Sequence, residues 1–273
     1  MSHPDPDGAA RSPRRVDDGA LSGLAWGEPP VEAVLLHGAL LNAGAWDQVL
    51  ARTTFTAIAL DLPGHGRSGW YADGDYSHGR MARDIAGFLT GLGARVTLVG
   101  HSRGGIVATH VAALAPRAVD RLVIVDADPT RPRPSAAVVP RMRWEGAFDE
   151  LVDDAHRMRP DLSRDRVADG VRRGAAERAD GSWAWRWDPN VRGRATDDEV
   201  EQNLAALSAV RCPVSIVRGA DSPAVGDDAI LRIEAALRRG IGLDTVAGGH
   251  NPHSEAPVEL ARILDALVRA TLR

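Results

Sequence analysis

The chain of 273 residues contains no lysine; all 33 of its basic residues are arginine. A lysine nucleophile and Schiff-base chemistry are thereby excluded. There is one cysteine, Cys212, so no internal disulfide and no cysteine-rich metal cluster can form. Followed by Pro213 and "VSIV", it reads as a buried residue leading into a strand rather than a reactive thiol. An excess of positive charge is also missing. With 37 acidic residues and a net charge of -4, the chain lacks the basic balance that phosphate backbones select, and nucleic acid is not expected as a partner. No run approaches the roughly 18 apolar residues of a membrane span. The opening "MSHPDPDGAARSPRR" has no apolar segment of signal-peptide type. Residues 1–15 read as a disordered tail, and the cytoplasm is the expected location, with no membrane partner.

What is present is an ordinary soluble composition, 44% hydrophobic and 26% charged, in a chain long enough to bury a large core. Short apolar runs recur: "EAVLLHG" (32–38), "FTAIALDLPG" (55–64), "RVTLVGHS" (95–102), "RLVIVDADP" (121–129) and "PVSIVRGAD" (213–221). Each ends in or beside Gly, Ser, Asp or Pro, the pattern of parallel strands buried on both faces. Helical patterns alternate with them at 79–93, 104–116, 229–240 and 257–272. The last places Leu260, Ile263, Leu264, Leu267 and Val268 on one stripe behind Pro257. This alternation predicts an α/β sheet flanked by helices, with core segments 16–129 and 209–273. Between them, residues 130–208 carry many charges and four of the seven tryptophans, and read as a mostly helical insertion.

"GHSRGG" (100–105) places Ser102 in G-x-S-x-G, directly after a predicted strand and before a predicted helix. A nucleophile on such a turn sits in a sparsely populated backbone conformation, and flanking glycines remove side chains that would collide. A serine needs a base. Of nine histidines, His3 and His78 lie in tail or loop sequence and His110 and His156 in helical patterns. His250 lies in "VAGGHNPHSEAP", a glycine-rich loop before the terminal helix, which can carry an imidazole to a distant serine. His253 reads as structural.

"LLHGALLNAGAWDQVL", "ALDLPGHGRS", "LVGHSRGG" and "GGHNPHSEAP", in this order, resemble the α/β-hydrolase superfamily, from about residue 16 to the end and less closely through 130–208. "WAWRWDP" (183–189) is similar to a segment of ester- and lactone-cleaving members. The resemblance implies an α/β-hydrolase fold with a helical lid at 130–208. It implies a triad led by Ser102 with His250 as base, and an oxyanion hole from the backbone N–H groups of Ala39 and Arg103. Asp61 is expected to be structural, and the Arg103 side chain either structural or in contact with substrate. Leu40, Trp144 and Trp183 are assigned to substrate binding, with Trp144 on a charged helical segment. If "WAWRW" is extended, Trp183, Trp185 and Trp187 share one side.

The superfamily's usual acid position, three residues beyond the glycine of "PVSIVRG", is here Ser222. Asp221, one residue earlier, and Asp126, after the preceding strand, are the two candidates, with Asp128 a further alternative. A serine at 102 argues against dehalogenase and epoxide hydrolase chemistry, which use a carboxylate nucleophile. The expected activity is hydrolysis of a small apolar or aromatic ester or lactone, with no cofactor and no metal. A carbon–carbon bond hydrolase with the same triad, a non-catalytic receptor on the same fold, and a homodimer all remain open.

Overall fold

Every residue of "AVLL" (33–36) and "AIAL" (57–60) is buried, as strands covered on both faces require. The computed structural model of the chain describes residues 11–132, 142–160, 162–192 and 198–271. Its strands are β1 (Arg14–Asp17), β2 (Ser22–Trp26), β3 (Ala33–Leu36), β4 (Ala57–Leu60), β5 (Val96–His101), β6 (Val119–Val125), β7 (Glu145–Gly146), β8 (Ala175–Glu177), β9 (Trp183–Trp185), β10 (Val214–Gly219) and β11 (Gly242–Val246). The helices are α1 (Asp47–Leu50), α2 (His78–Gly91), α3 (Arg103–Leu114), α4 (Phe148–Met158), α5 (Arg164–Gly174), α6 (Glu199–Ala209), α7 (Asp227–Leu237), α8 (Pro252–Glu255) and α9 (Pro257–Thr271).

Eight strands form one sheet in the order β1-β2-β4-β3-β5-β6-β10-β11. Pairing is parallel from β4 to β11, while β2 runs antiparallel to both β1 and β4. Alternate residues serve two hydrophobic layers: Val34 and Leu36 pack toward α2, α3, α6 and α7, whereas Ala33 and Leu35 pack toward α1 and α9. The stripe predicted for α9 is buried at Leu260, Ile263, Leu264 and Val268, with Leu267 packed beside them. Cys212 is buried ahead of β10, and burial pushes its thiol up.

Two expectations need correction. Residues 11–15 are not tail: Arg14 and Arg15 belong to β1, and Arg11 donates to Phe55 O at 2.9 Å. An antiparallel edge strand with solvent on its outer side carries the polar composition of a tail. Residues 1–10 lie outside the described residues. The insertion, helical at α4 and α5, also holds strands that the sequence did not show. It pairs α4 and α5 with a three-stranded antiparallel sheet, β7-β9-β8, whose two- and three-residue strands are too short to show alternation. Its last helical stretch, α6, packs on α3 and α7 and so belongs to the body of the molecule.

Candidate active site

Ser102 sits between β5 and α3 at φ 50, ψ -121, a conformation few non-glycine residues adopt. The glycines around it have a steric reason. A Cβ on Gly100 would stand 2.2 Å from Gly104 O, and one on Gly104 would stand 2.5 Å from both His37 O and Leu36 O. The turn therefore closes only with glycine at both places.

Two other loops meet Ser102 at the carboxyl ends of the strands. The loop after β11 brings His250 Nε2 to 3.0 Å from Ser102 Oγ. The turn after β6 brings Asp126 Oδ2 to 2.7 Å from His250 Nδ1. A carboxylate only accepts, so Nδ1 carries the proton and Nε2 is left to accept from the serine hydroxyl. Asp126 is fully buried and has φ 48. Burial opposes its charge. The bonds from His250, Ser222 Oγ (2.5 Å) and Gly219 N (3.0 Å) outweigh burial and hold the carboxyl below its ordinary range.

Of the two aspartates left open by the sequence, the structure brings Asp126 to His250. Asp221 is exposed, and its backbone N–H bonds Gly248 O at 2.9 Å. Asp128 is committed elsewhere, accepting from Thr130 and pairing with Arg232 at 2.8 Å. Ser222, at the superfamily's usual acid position, points its hydroxyl at Asp126.

Buried neutral histidines fix the surrounding backbone. His37 accepts from Leu62 N at 2.9 Å and donates to Gly38 O at 2.7 Å. His65 accepts from Leu40 N at 3.3 Å and donates to Pro63 O at 3.1 Å. His101 donates to His250 O at 2.7 Å. Burial holds all three below the ordinary imidazole value, and it pushes His253, packed on Trp46 and His101, down to about 3. These supports were not legible in the sequence, because nothing marks a buried imidazole except its neighbours in space. His78 corrects an expectation: it is no loop residue but lies buried at the start of α2, 3.2 Å from Glu199. Asp61 accepts from Ala43 N (2.7 Å) and Arg67 N (2.9 Å), a structural use.

Gly38 packs directly on the turn; a Cβ there would lie 3.4 Å from that of Ser102. Ala39 follows it, exposed, and Leu40 is held at φ 62. Arg103 opens α3, where first-turn amides point out of the helix end. Its side chain is buried and donates to Tyr76 O at 2.7 Å and to Val191 O, tying the insertion to the body.

The tryptophans pack among themselves. Trp144 is not on a helix but precedes β7, donates to Trp187 O at 2.6 Å and meets Trp70 edge-on. Trp183 lies against Phe148, while Trp185 and Trp187 stack on each other and are buried. Leu40, Trp144 and Trp183 are all partly buried against the same hydrophobic layer. Among the described residues, no group of three His, Cys, Asp or Glu side chains could hold a metal ion. No described helix is long and apolar enough to cross a membrane.

A sequence profile described as the alpha/beta hydrolase family matches residues 33–263. The chain belongs to that family. It is 33% identical over 264 residues to the esterase Rv0045c of Mycobacterium tuberculosis, covering 92% of this chain and 87% of that one. A solved structure of that esterase superposes with a TM-score of 0.84 at 30% identity, over 96% of this chain and 93% of the other. The lipase LipV of the same organism is 32% identical over 180 residues, 65% of this chain and 59% of its own length. The profile of the alpha/beta hydrolase family spans all three loops that converge on Ser102.

Proposed function

We propose that the chain is a serine hydrolase of carboxylic esters, lactones among them. The observation that carries this reading is the continuous hydrogen-bond chain from Ser102 Oγ through His250 to buried Asp126, on a strained turn. Ser102 Oγ attacks the ester carbonyl while His250 Nε2 takes its proton, and the C–O double bond opens to an alkoxide. The N–H groups of Ala39 and Arg103 stabilise that alkoxide, about 3 kcal/mol of barrier each by the standard of other oxyanion holes. Collapse breaks the bond to the leaving alkoxide, which takes the proton from His250. Water, deprotonated by His250, then attacks the acyl-serine; the acyl–Oγ bond breaks, Ser102 Oγ takes the proton back from His250, and the acid leaves. Asp126 holds the imidazole in its tautomer and stabilises the imidazolium.

The insertion serves as a lid. It follows β6, at the carboxyl edge of the sheet where open α/β sheets bind ligands, and Leu40, Trp144 and Trp183 supply apolar contact for an apolar or aromatic acyl group. The similarity to an esterase supports the bond type. The test is labelling by a fluorophosphonate together with turnover of a nitrophenyl ester. Both are expected to depend on Ser102 and to vanish in Ser102→Ala. Ester turnover that survives Ser102→Ala would overturn the reading.

A further inference from the structure

A cavity of about 220 Å³ lies apart from the Ser102–His250–Asp126 group and is lined by Arg15, Arg67, Arg172, Arg173 and Arg186. Its walls come from both parts of the molecule: Arg15 from β1, Asp47 from α1 and Arg67 from the loop after β4, against Arg172 and Arg173 of α5 and Arg186 just beyond β9. Some arginines elsewhere meet acids, as in Arg80–Asp73, Arg164–Asp153 and Arg232–Asp128, and others, such as Arg11 and Arg239, donate to backbone carbonyls. Of the cavity's arginines, Arg172 is paired with Asp169. Arg15, Arg67, Arg173 and Arg186 form no ion pair among the described residues.

Two carboxylates line the same space, fewer than its guanidinium groups. Asp61 gives one oxygen to Ala43 N and the other to Arg67 N. Asp47 has an oxygen that is buried and without a hydrogen-bond partner, and burial, against the pull of Arg173, pushes its carboxyl up to about 6. Burial and the facing Arg67 and Arg15 hold Arg186 below its ordinary value. Arg15 donates to Ser22 Oγ and Arg186 to Ala175 O, both at 3.2 Å, while Arg15, Arg67, Arg172 and Arg173 are exposed, so the cavity opens to solvent with guanidinium groups in excess of carboxylates.

We propose that this cavity binds the phosphate group of a phosphorylated small molecule, held by Arg67, Arg173 and Arg186. One guanidinium fork satisfies a planar carboxylate, whereas several converging from different elements match a tetrahedral dianion. The cavity is close to the reacting serine. Asn42, in its wall, is four residues from Gly38, so the chain between them spans at most about 14 Å. The phosphate therefore belongs either to a tail of the ester substrate or to a separate effector that clamps the insertion to the body.

The experiment is calorimetric titration of the full chain with inorganic phosphate at several salt concentrations, which reads binding without turnover and so fails separately from the esterase reading. Saturable binding that weakens with salt, and at least tenfold in Arg67→Gln/Arg186→Gln, is the expected result; no saturable binding, or equal binding by that variant, overturns the site. Should the variant not fold, phosphate protection of wild-type Arg67 and Arg186 from phenylglyoxal, with Arg14 unprotected, supports the site, and uniform modification overturns it. Kinetics then separate the sources. Phosphate that raises KM for a phosphate-bearing ester alone marks a substrate tail, and phosphate that also alters turnover of a nitrophenyl acetate marks an effector. Bound phosphate without either effect overturns a functional role.

A different observation carries a second inference, which rests on the esterase reading. Ser222 Oγ donates to Asp126 Oδ2 at 2.5 Å, the same oxygen that His250 Nδ1 meets, and accepts from Ala224 N at 3.2 Å. With its acceptor side taken by that amide, its proton faces Asp126. We infer that Ser222 is a positioning residue that draws charge from Asp126 and so tempers its hold on the imidazolium. In Ser222→Ala the acid limb of the kcat/KM profile is expected to move to higher pH, with a loss of up to about tenfold below neutrality. Ser222→Thr restores the wild-type profile. A uniform loss at every pH, or an unchanged profile, overturns this role, while absence of Ser102-dependent turnover in the wild-type chain would instead sink the esterase reading.

Discussion

The corner of the sheet that carries Ser102 and the insertion that follows β6 are held together by different physics. At the corner, main-chain geometry dominates. Ser102, Asp126 and Leu40 are three of the four non-glycine residues with positive φ among those described, and each donates its backbone N–H to a hydrogen bond. The insertion instead relies on side chains: exposed ion pairs of Arg164 with Asp149 and Asp153 and of Arg178 with Glu145, over the buried, stacked Trp185 and Trp187. Backbone contacts tolerate no added atom, whereas exposed ion pairs contribute only about 0–1 kcal/mol each and exchange easily. Contacts of the first kind fix angles, whereas those of the second leave room for adjustment.

The sharpest break in that comparison is chemical. Asp126→Asn is expected to lower kcat by about 10⁴, by analogy with other triads, while Asp221→Asn, 95 residues later on an exposed turn, leaves it within about twofold. Steady-state kinetics on a nitrophenyl ester separate the two, and equal effects would mean that the acid has been misassigned.

A matched pair of glycines tests the packing side. Gly104→Ala drives a methyl group into two carbonyl oxygens and is expected to cost several kcal/mol or to prevent folding. Gly170→Ala, within α5 of the insertion with nothing inside 4 Å, is expected to stabilise by up to about 1 kcal/mol. Urea midpoints read both.

The buried imidazoles make stability at the corner depend on pH. His253 is held at about 3 in the folded chain and returns to about 6.5 when unfolded, so between those values the unfolded chain binds more protons. Stability therefore falls as pH drops through that window, in the same direction as for His37, His65 and His101. His253→Gln is expected to flatten the slope by up to about 1.4 kcal/mol per pH unit. An unchanged slope in denaturant titrations from pH 7 to 4 would show that His253 does not titrate on unfolding.

The smallest effect is expected in the insertion. Trp144→Ala is expected to reorder a series of acyl esters by about tenfold while a small acetate is still cleaved, since about 1–2 kcal/mol of apolar contact is at stake. A common factor across all esters would make Trp144 a stability element only.

The sequence by itself determined the five inner parallel strands β3, β4, β5, β6 and β10, because runs such as "AVLL" suit burial on both faces, and it singled out Ser102, because G-x-S-x-G is a local steric requirement read within six residues. It also singled out His250 from its glycine-rich loop. It did not decide which aspartate meets His250. β6 and β10 are parallel neighbours with Val125 opposite Val217, so Asp126 and Asp221 both leave the same sheet edge, and only the backbone turn at φ 48 aims Asp126 at the imidazole. The edge strand β1 and the small sheet of the insertion were equally hidden, since two to four residues are too few to carry a period and the partners that define them are distant in the chain. The arginine-lined cavity belongs wholly to the tertiary structure: Arg15, Arg67, Arg173 and Arg186 are ordinary surface charges until folding brings four segments together, and a shared field exists only once the charges are within reach of one another.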